Sequence, residues 1–104
     1  MEVSTLESIP GRTIVRHLGL VQGSTVRAKN FGQDFLAGLK NFLGGELEAY
    51  TALLVESRQE AVRRMLAEAS SVGANAVVNV RFSTANIATG AAEVMAYGTA
   101  VVIE

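Results

Sequence analysis

A soft-metal site is built from thiolates or from several imidazoles. This chain has no cysteine, and His17 is its one histidine. It could make such a site only by repeating His17 around a symmetry axis, with carboxylates completing the shell. The plain alternative is a structural or surface histidine. Met1, Met65 and Met95 are the other soft donors. Met65 falls on a helical stripe and Met95 in a strand, where packing is the ordinary use of methionine. The lack of cysteine also removes disulfides and thiolate nucleophiles.

A second group is basic. Arg12, Arg16, Arg27 and Lys29 follow one another with no acid between Glu7 and Asp34. Repeated in an oligomer, they would form a positive belt able to attract nucleotides or other anions. The alternative is a solvated edge strand that uses charge to avoid aggregation. Arg58 is a guanidinium at a position where apolar periodicity expects a core residue. It either snorkels over an apolar face or forms a structural ion pair with Asp34 or Glu93, of its own or a neighbouring subunit. Burying that charge without a partner is costly, which favours the pair.

Gly44-Gly45 opens a helix, and helix N-termini can hold phosphate. Here Glu46 and Glu48 occupy the first turn and would repel an anion, and no Lys-Ser/Thr follows. It reads as a tight turn between helices. No Ser-His-Asp arrangement or nucleophile elbow is present, and no close carboxylate pair has a reason to be buried. The residues predict a non-catalytic protein with no evident cofactor.

The elements that must position these groups are legible from periodicity. Leu47, Tyr50, Leu54, Ala61, Met65, Ala69 and Val72 recur at helical spacing, with Arg58 in the gap. They predict one long helix over 46–72, closed by Gly73 in a left-handed cap. At 1.5 Å per residue it spans roughly 40 Å, whereas a compact 100-residue domain has a radius of gyration of about 13 Å. Leu53, Val62 and Leu66 add a second apolar edge. Such an excess on a small domain points to a partner chain.

Residues 1–9 read as an arm or short strand, followed by a Pro10-Gly11 turn. Residues 12–28 read as rich in strand formers, with Gly19 and Gly23 suggesting a bend, a bulge or a turn into a second short strand, 24–28. Phe31, Phe35, Leu39 and Phe42 predict a short helix over 30–43, its aromatics core residues before they are a base-stacking platform. Residues 76–84 alternate as a strand, with Val78, Val80 and Phe82 on one face. Residues 85–92 read as a loop, and 94–103 as an uncharged strand. Val94, Ala96, Gly98, Ala100 and Val102 make its slim face. Lacking charge, this strand belongs in the sheet centre. The expected architecture is α+β: a two-layer sandwich with a three-stranded antiparallel sheet, order 1-3-2, on one long helix, plus the short helix.

At 104 residues and 49% apolar, the chain suits a single domain, 1–104, with a core that needs no disulfides. No basic segment followed by an apolar run opens it, so no signal peptide is expected. No apolar run approaches the ~20 residues that span a bilayer. A cytoplasmic protein is the expectation. The net charge of −1 argues against general nucleic-acid binding.

Several segments together resemble the YbjQ-like family, whose label refers to heavy-metal binding. They are Gly19-Leu-Val-Gln-Gly-Ser-Thr-Val-Arg27, Gly44-Gly45-Glu46 with Tyr50-Thr51, and Ser57-Arg58-Gln-Glu-Ala61. Gly73-Ala-Asn-Ala-Val77 and Tyr97-Gly-Thr-Ala-Val101 complete the set. The resemblance covers nearly the whole chain. Where the pattern usually has alanine before the helix arginine, this chain has Ser57. The resemblance implies a dodecin-like β-α-β-β fold and a homopentameric ring, with short extra strands joining neighbouring subunits. It implies no established biochemical activity.

Overall fold

The structure is a computed structural model that describes residues 1–27, 44–88 and 91–104. The expected short helix, with Lys29 and Asp34, lies outside the described residues. In chain order the elements are β1 (Glu2–Val3), β2 (Ile14–Arg27), α1 (Gly44–Ser71), β3 (Ala76–Ala88) and β4 (Ala91–Ile103).

The strands form one mixed sheet of order β1-β3-β4-β2. The last strand, whose segment 94–103 carries no charge, is central among the three long ones and antiparallel to both neighbours, as that segment predicted. The sheet has a fourth member that the three-stranded expectation lacked. The N-terminal arm contributes β1, parallel to β3, with Glu2 opposite Ala76 and Val3 opposite Val77. Ser4 and Leu6 prolong that edge, their carbonyls accepting the N–H groups of Val80 and Asn79 at 3.0 and 2.8 Å. The arm is therefore fixed by backbone bonds, which a short and mixed sequence does not advertise. It leaves through the Pro10-Gly11 turn, closed by Arg12 N–H to the Ile9 carbonyl at 3.0 Å, with Gly11 at φ +81°.

β2 settles a second expectation. It is one strand of fourteen residues: of the bend, bulge or turn that its glycines suggested, an irregularity at Gly19 forms and the second short strand does not. Gly19 takes φ +100° beside one of two register shifts against β4, Ile14/Arg16 and His17/Gly19. A glycine in a strand can mark a bulge or a close approach, and Gly23 marks the second. A Cβ there would stand 2.4 Å from the Ala61 carbonyl oxygen and from the Met65 nitrogen of α1. The residues expected to loop over 85–92 instead carry the ladder on, from Ala85 opposite Glu93 to Ala88 opposite Ala91.

α1 has 28 residues, about 42 Å of helix, and ends on Gly73 at φ +89°. Gly73 N–H reaches the Ser70 carbonyl and Ala74 N–H the Ala69 carbonyl, both at 3.1 Å. The left-handed cap is as the sequence predicted. The buried stripe is Ser57, Ala61, Met65 and Ala69, spaced by four. Ser57, not Arg58, fills the gap in the apolar pattern. Its hydroxyl donates to the Leu53 carbonyl at 2.9 Å, one turn back, and Thr25 donates to the Ser57 carbonyl at 3.4 Å. A small hydroxyl that bonds its own helix can be buried at little cost.

Against this stripe pack Val21 of β2, Val77 and Val80 of β3, and Val94, Ala96 and Ala100 of β4. Met65 is fully buried, so truncating it to alanine would cost about 2–5 kcal/mol. α1 lies mainly over β2 and β4 and less closely over β3. On the opposite face Ile9 covers only one end, over Ala76, Val78, Val101 and Ile103. Val78 and Val80 therefore lie on opposite faces, contrary to simple alternation. The reason is Asn79 at φ +54°, which sits in the register shift between Val78 and Arg81. One extra residue reverses the phase of all that follows. The described residues extend 55 × 24 × 17 Å, with a radius of gyration of 17.0 Å.

Candidate functional site

His17 lies on the sheet-edge strand β2, opposite Val101, with its side chain exposed. Among the described residues no cluster of three His, Asp or Glu side chains could hold a metal. One imidazole is a single ligand, and metal sites need three or four protein donors. Any such site must draw the remainder from elsewhere, such as other copies.

The basic set does not converge within one subunit. Arg12 gives its Nη1 to Glu2 Oε2 at 2.8 Å. Arg16 is exposed near the start of β2, and Arg27 closes the strand. At about 3.3 Å per residue the ends of β2 stand on the order of 40 Å apart. A belt of these residues therefore requires several subunits.

Arg58 projects from α1 beside an apolar groove of about 240 Å³, shared with Gln59, Val62 and Phe82. The groove exists because α1 sits off β3, which leaves Phe82 49% exposed on the helix side. Glu93 precedes the core residue Val94 and so faces the opposite side of the sheet. Arg58 has no ion pair among the described residues. Within the subunit these two do not meet, so an Arg58–Glu93 pair would have to join two chains.

Glu60 has a different role. It accepts from Arg63 Nη2 at 2.8 Å and from Arg64 Nε at 2.9 Å. The hydrogen bond from Arg63, then that from Arg64, hold its carboxyl below the usual glutamate value. That is the direction of a structural carboxylate, opposite to the one a general acid at neutral pH requires.

The structure assembles one group that periodicity missed. Thr5, Leu6, Glu7 and Ser8 of the arm face Asn79 and Arg81 of β3 across a hollow of about 470 Å³. Arg81 Nη1 donates to the Thr5 and Val80 carbonyls, each at 2.8 Å. Asn79 is held in its left-handed conformation by its N–H bond to Leu6. The available signal was Asn79 itself. Asparagine is depleted in strands and is one of few residues that accept positive φ. Read as an outward strand position, it gave no warning of a bulge.

No described helix is long and apolar enough to cross a membrane. A family model described as "Putative heavy-metal-binding" matches residues 1–104. A UPF0145 protein of Hahella chejuensis is 60% identical over 104 residues, covering 100% of both chains. A UPF0145 protein of Archaeoglobus fulgidus is 56% identical over 99 residues, covering 95% of this chain and 92% of its own. Among solved structures, a protein of unknown function from Pediococcus pentosaceus superposes with a TM-score of 0.65. It is 17% identical and covers 100% of this chain and 98% of its own. That likeness concerns the fold.

Proposed function

This chain belongs to the YbjQ-like, UPF0145 family, and from that premise we propose that it works as a cytoplasmic, homo-oligomeric, non-catalytic binding or scaffolding module. The observation that supports this most is the side of the sheet that α1 leaves open among the described residues. α1 covers one face and Ile9 only one end of the other. Leu20 is 68% exposed and Val26 52% exposed, with Met95 and Tyr97 half-buried between them. An apolar surface of this kind on a thin, elongated subunit is what association buries. A ring of five copies would close the surface without leaving an open end.

Sedimentation equilibrium and native mass spectrometry test the reading. A closed oligomer, pentameric in this proposal, is expected at micromolar concentration. A stable monomer there would overturn it.

The family description favours one second reading, a metal ion held between subunits by His17 and carboxylates. Equilibrium dialysis with copper, zinc and nickel, on the native chain and on His17→Ala, tests it. Stoichiometric uptake lost in the variant supports the site, and no uptake by the native chain removes it.

A further inference from the structure

We propose that the hollow between the N-terminal arm and the β3 bulge binds a small amino carboxylate, with its carboxylate on Arg81 and its ammonium on Glu7. The proposal deepens the binding half of the function proposed above by naming a ligand class, and rests on it to that extent. Every residue that lines the site comes from one subunit.

The arginine carries the argument. Nη1 has two hydrogens, and the carbonyls of Thr5 and Val80 take both, each at 2.8 Å. Among the described residues, Nε and Nη2 have no acceptor. That edge of the guanidinium is the side-on fork that matches a carboxylate with two parallel hydrogen bonds. The two carbonyls fix the plane of the head group before any ligand arrives. Little side-chain freedom then remains to be lost on binding.

The second charge is Glu7, which lines the same hollow. Arg12, Arg63 and Arg64 each take a carboxylate partner in the fold. Neither Arg81 nor Glu7 has an ion-pair partner among the described residues. Two opposite charges that share a hollow without pairing suit a molecule that carries both signs. A dianion such as phosphate would meet repulsion from Glu7, and a simple cation would meet Arg81.

The lining between them is mixed, with Leu6 as its apolar member. Asn79 adds an amide, and Thr5 and Ser8 add hydroxyls. The Asn79 backbone is held at φ +54°, a left-handed conformation that asparagine accepts more readily than most residues. At about 470 Å³, the space falls in the usual range for small-molecule sites, roughly 300–1,000 Å³. It is open on one side, which suits a small and freely exchanging ligand.

The test is a titration of the isotopically labelled full chain with glycine, β-alanine, acetate and methylamine, followed by NMR. The reporters are the Asn79 side-chain amide and the Arg81 Nε–H. Saturable shifts are expected with an amino carboxylate, at an affinity about tenfold above that of acetate. Arg81→Lys should lose about tenfold for every carboxylate, because an ammonium cannot form the fork. The Asn79 backbone amide shift reports whether the arm stays docked in that variant. Glu7→Gln lies on the exposed arm and should keep the native melting curve. It should bind acetate at least as tightly as before, since a repelling charge is gone, and lose the preference for glycine. No saturable shift with any of the four probes would overturn the proposal, as would a Glu7→Gln chain that still prefers glycine. Sedimentation reads assembly separately, so the two proposals fail separately.

Discussion

Arg64 reaches from α1 to β2 and donates from Nη1 to the Ser24 carbonyl oxygen at 2.7 Å. One turn further along α1, Glu68 accepts the Gln22 N–H at 3.0 Å. β2 is an edge strand, and an open edge is a template for another strand. The helix thus caps backbone groups of that edge at Gln22 and Ser24 with its own side chains. Any strand added by another copy must pair elsewhere.

Arg64→Ala should expose this stretch. Loss of one charged hydrogen bond is expected to cost about 1 kcal/mol, read as a fall in the urea midpoint. Light scattering on heating should rise earlier than for the native chain. An unchanged midpoint with unchanged scattering would show that the edge is protected by other means.

The same network gives the stability a pH dependence. The Glu60 carboxyl is held below its ordinary value by Arg63 and Arg64. A depressed folded-state pKa contributes stability that is present above the unfolded value. That contribution fades as pH falls from the ordinary glutamate range through the lower folded value. Glu60→Gln should flatten the stability profile in this acidic window and leave the profile above it parallel to the native one. The measurement is the urea midpoint as a function of pH; a variant profile with the native acid slope would rule out Glu60 as the cause.

Gly23→Ala and Gly98→Val should both destabilise, the first through the layers and the second through the sheet. At Gly23 a methyl would meet backbone of α1 at 2.4 Å and Arg64 Cβ at 2.6 Å, so the helix must lift. At Gly98 a Cβ would stand 2.8 Å from Val77 Cγ1 and 2.9 Å from the Val78 carbonyl oxygen. Overpacking of this sort costs about 1–3 kcal/mol, and Gly23→Ala belongs at the upper end because its neighbours are main chain. Chemical denaturation checks both. A native midpoint in either variant would contradict the close approach at that position.

Arg58→Ala should weaken assembly while leaving the subunit folded. Its guanidinium is exposed beside Phe82 and Val62 and makes no ion pair among the described residues. That leaves it available to a carboxylate of a neighbouring chain. Native mass spectrometry should show a shift toward smaller species, with helical circular dichroism retained. Native assembly in the variant would refute a role at the interface.

What could be read from the sequence was whatever obeys a period. The repeat from Leu47 to Ala69 and the glycine at 73 predicted α1 nearly to its ends, and the lack of charge over 94–103 placed β4 between its neighbours. What escaped was whatever breaks a period. Asn79 inserts one residue and swaps the faces of Val78 and Val80. Ser57 hid at a core position because its hydroxyl finds a carbonyl on its own helix, and Arg58 stood out beside it for the wrong reason. The hollow at Arg81 joins residues more than seventy positions apart, through backbone carbonyls that no side-chain pattern encodes. Of the residues singled out for chemistry, His17, Arg16 and Arg58 proved surface groups, and Arg12 is engaged by Glu2.

At position 23 there is no side chain, and positions 61, 69, 96 and 100 carry only methyl groups, all of them shut away from solvent. Helix and sheet thus press together almost main chain to main chain. Among the described residues, layers this close leave no room for a chamber between them. A ligand of the proposed module would have to ride on the outside, or in seams between copies if the proposed assembly forms.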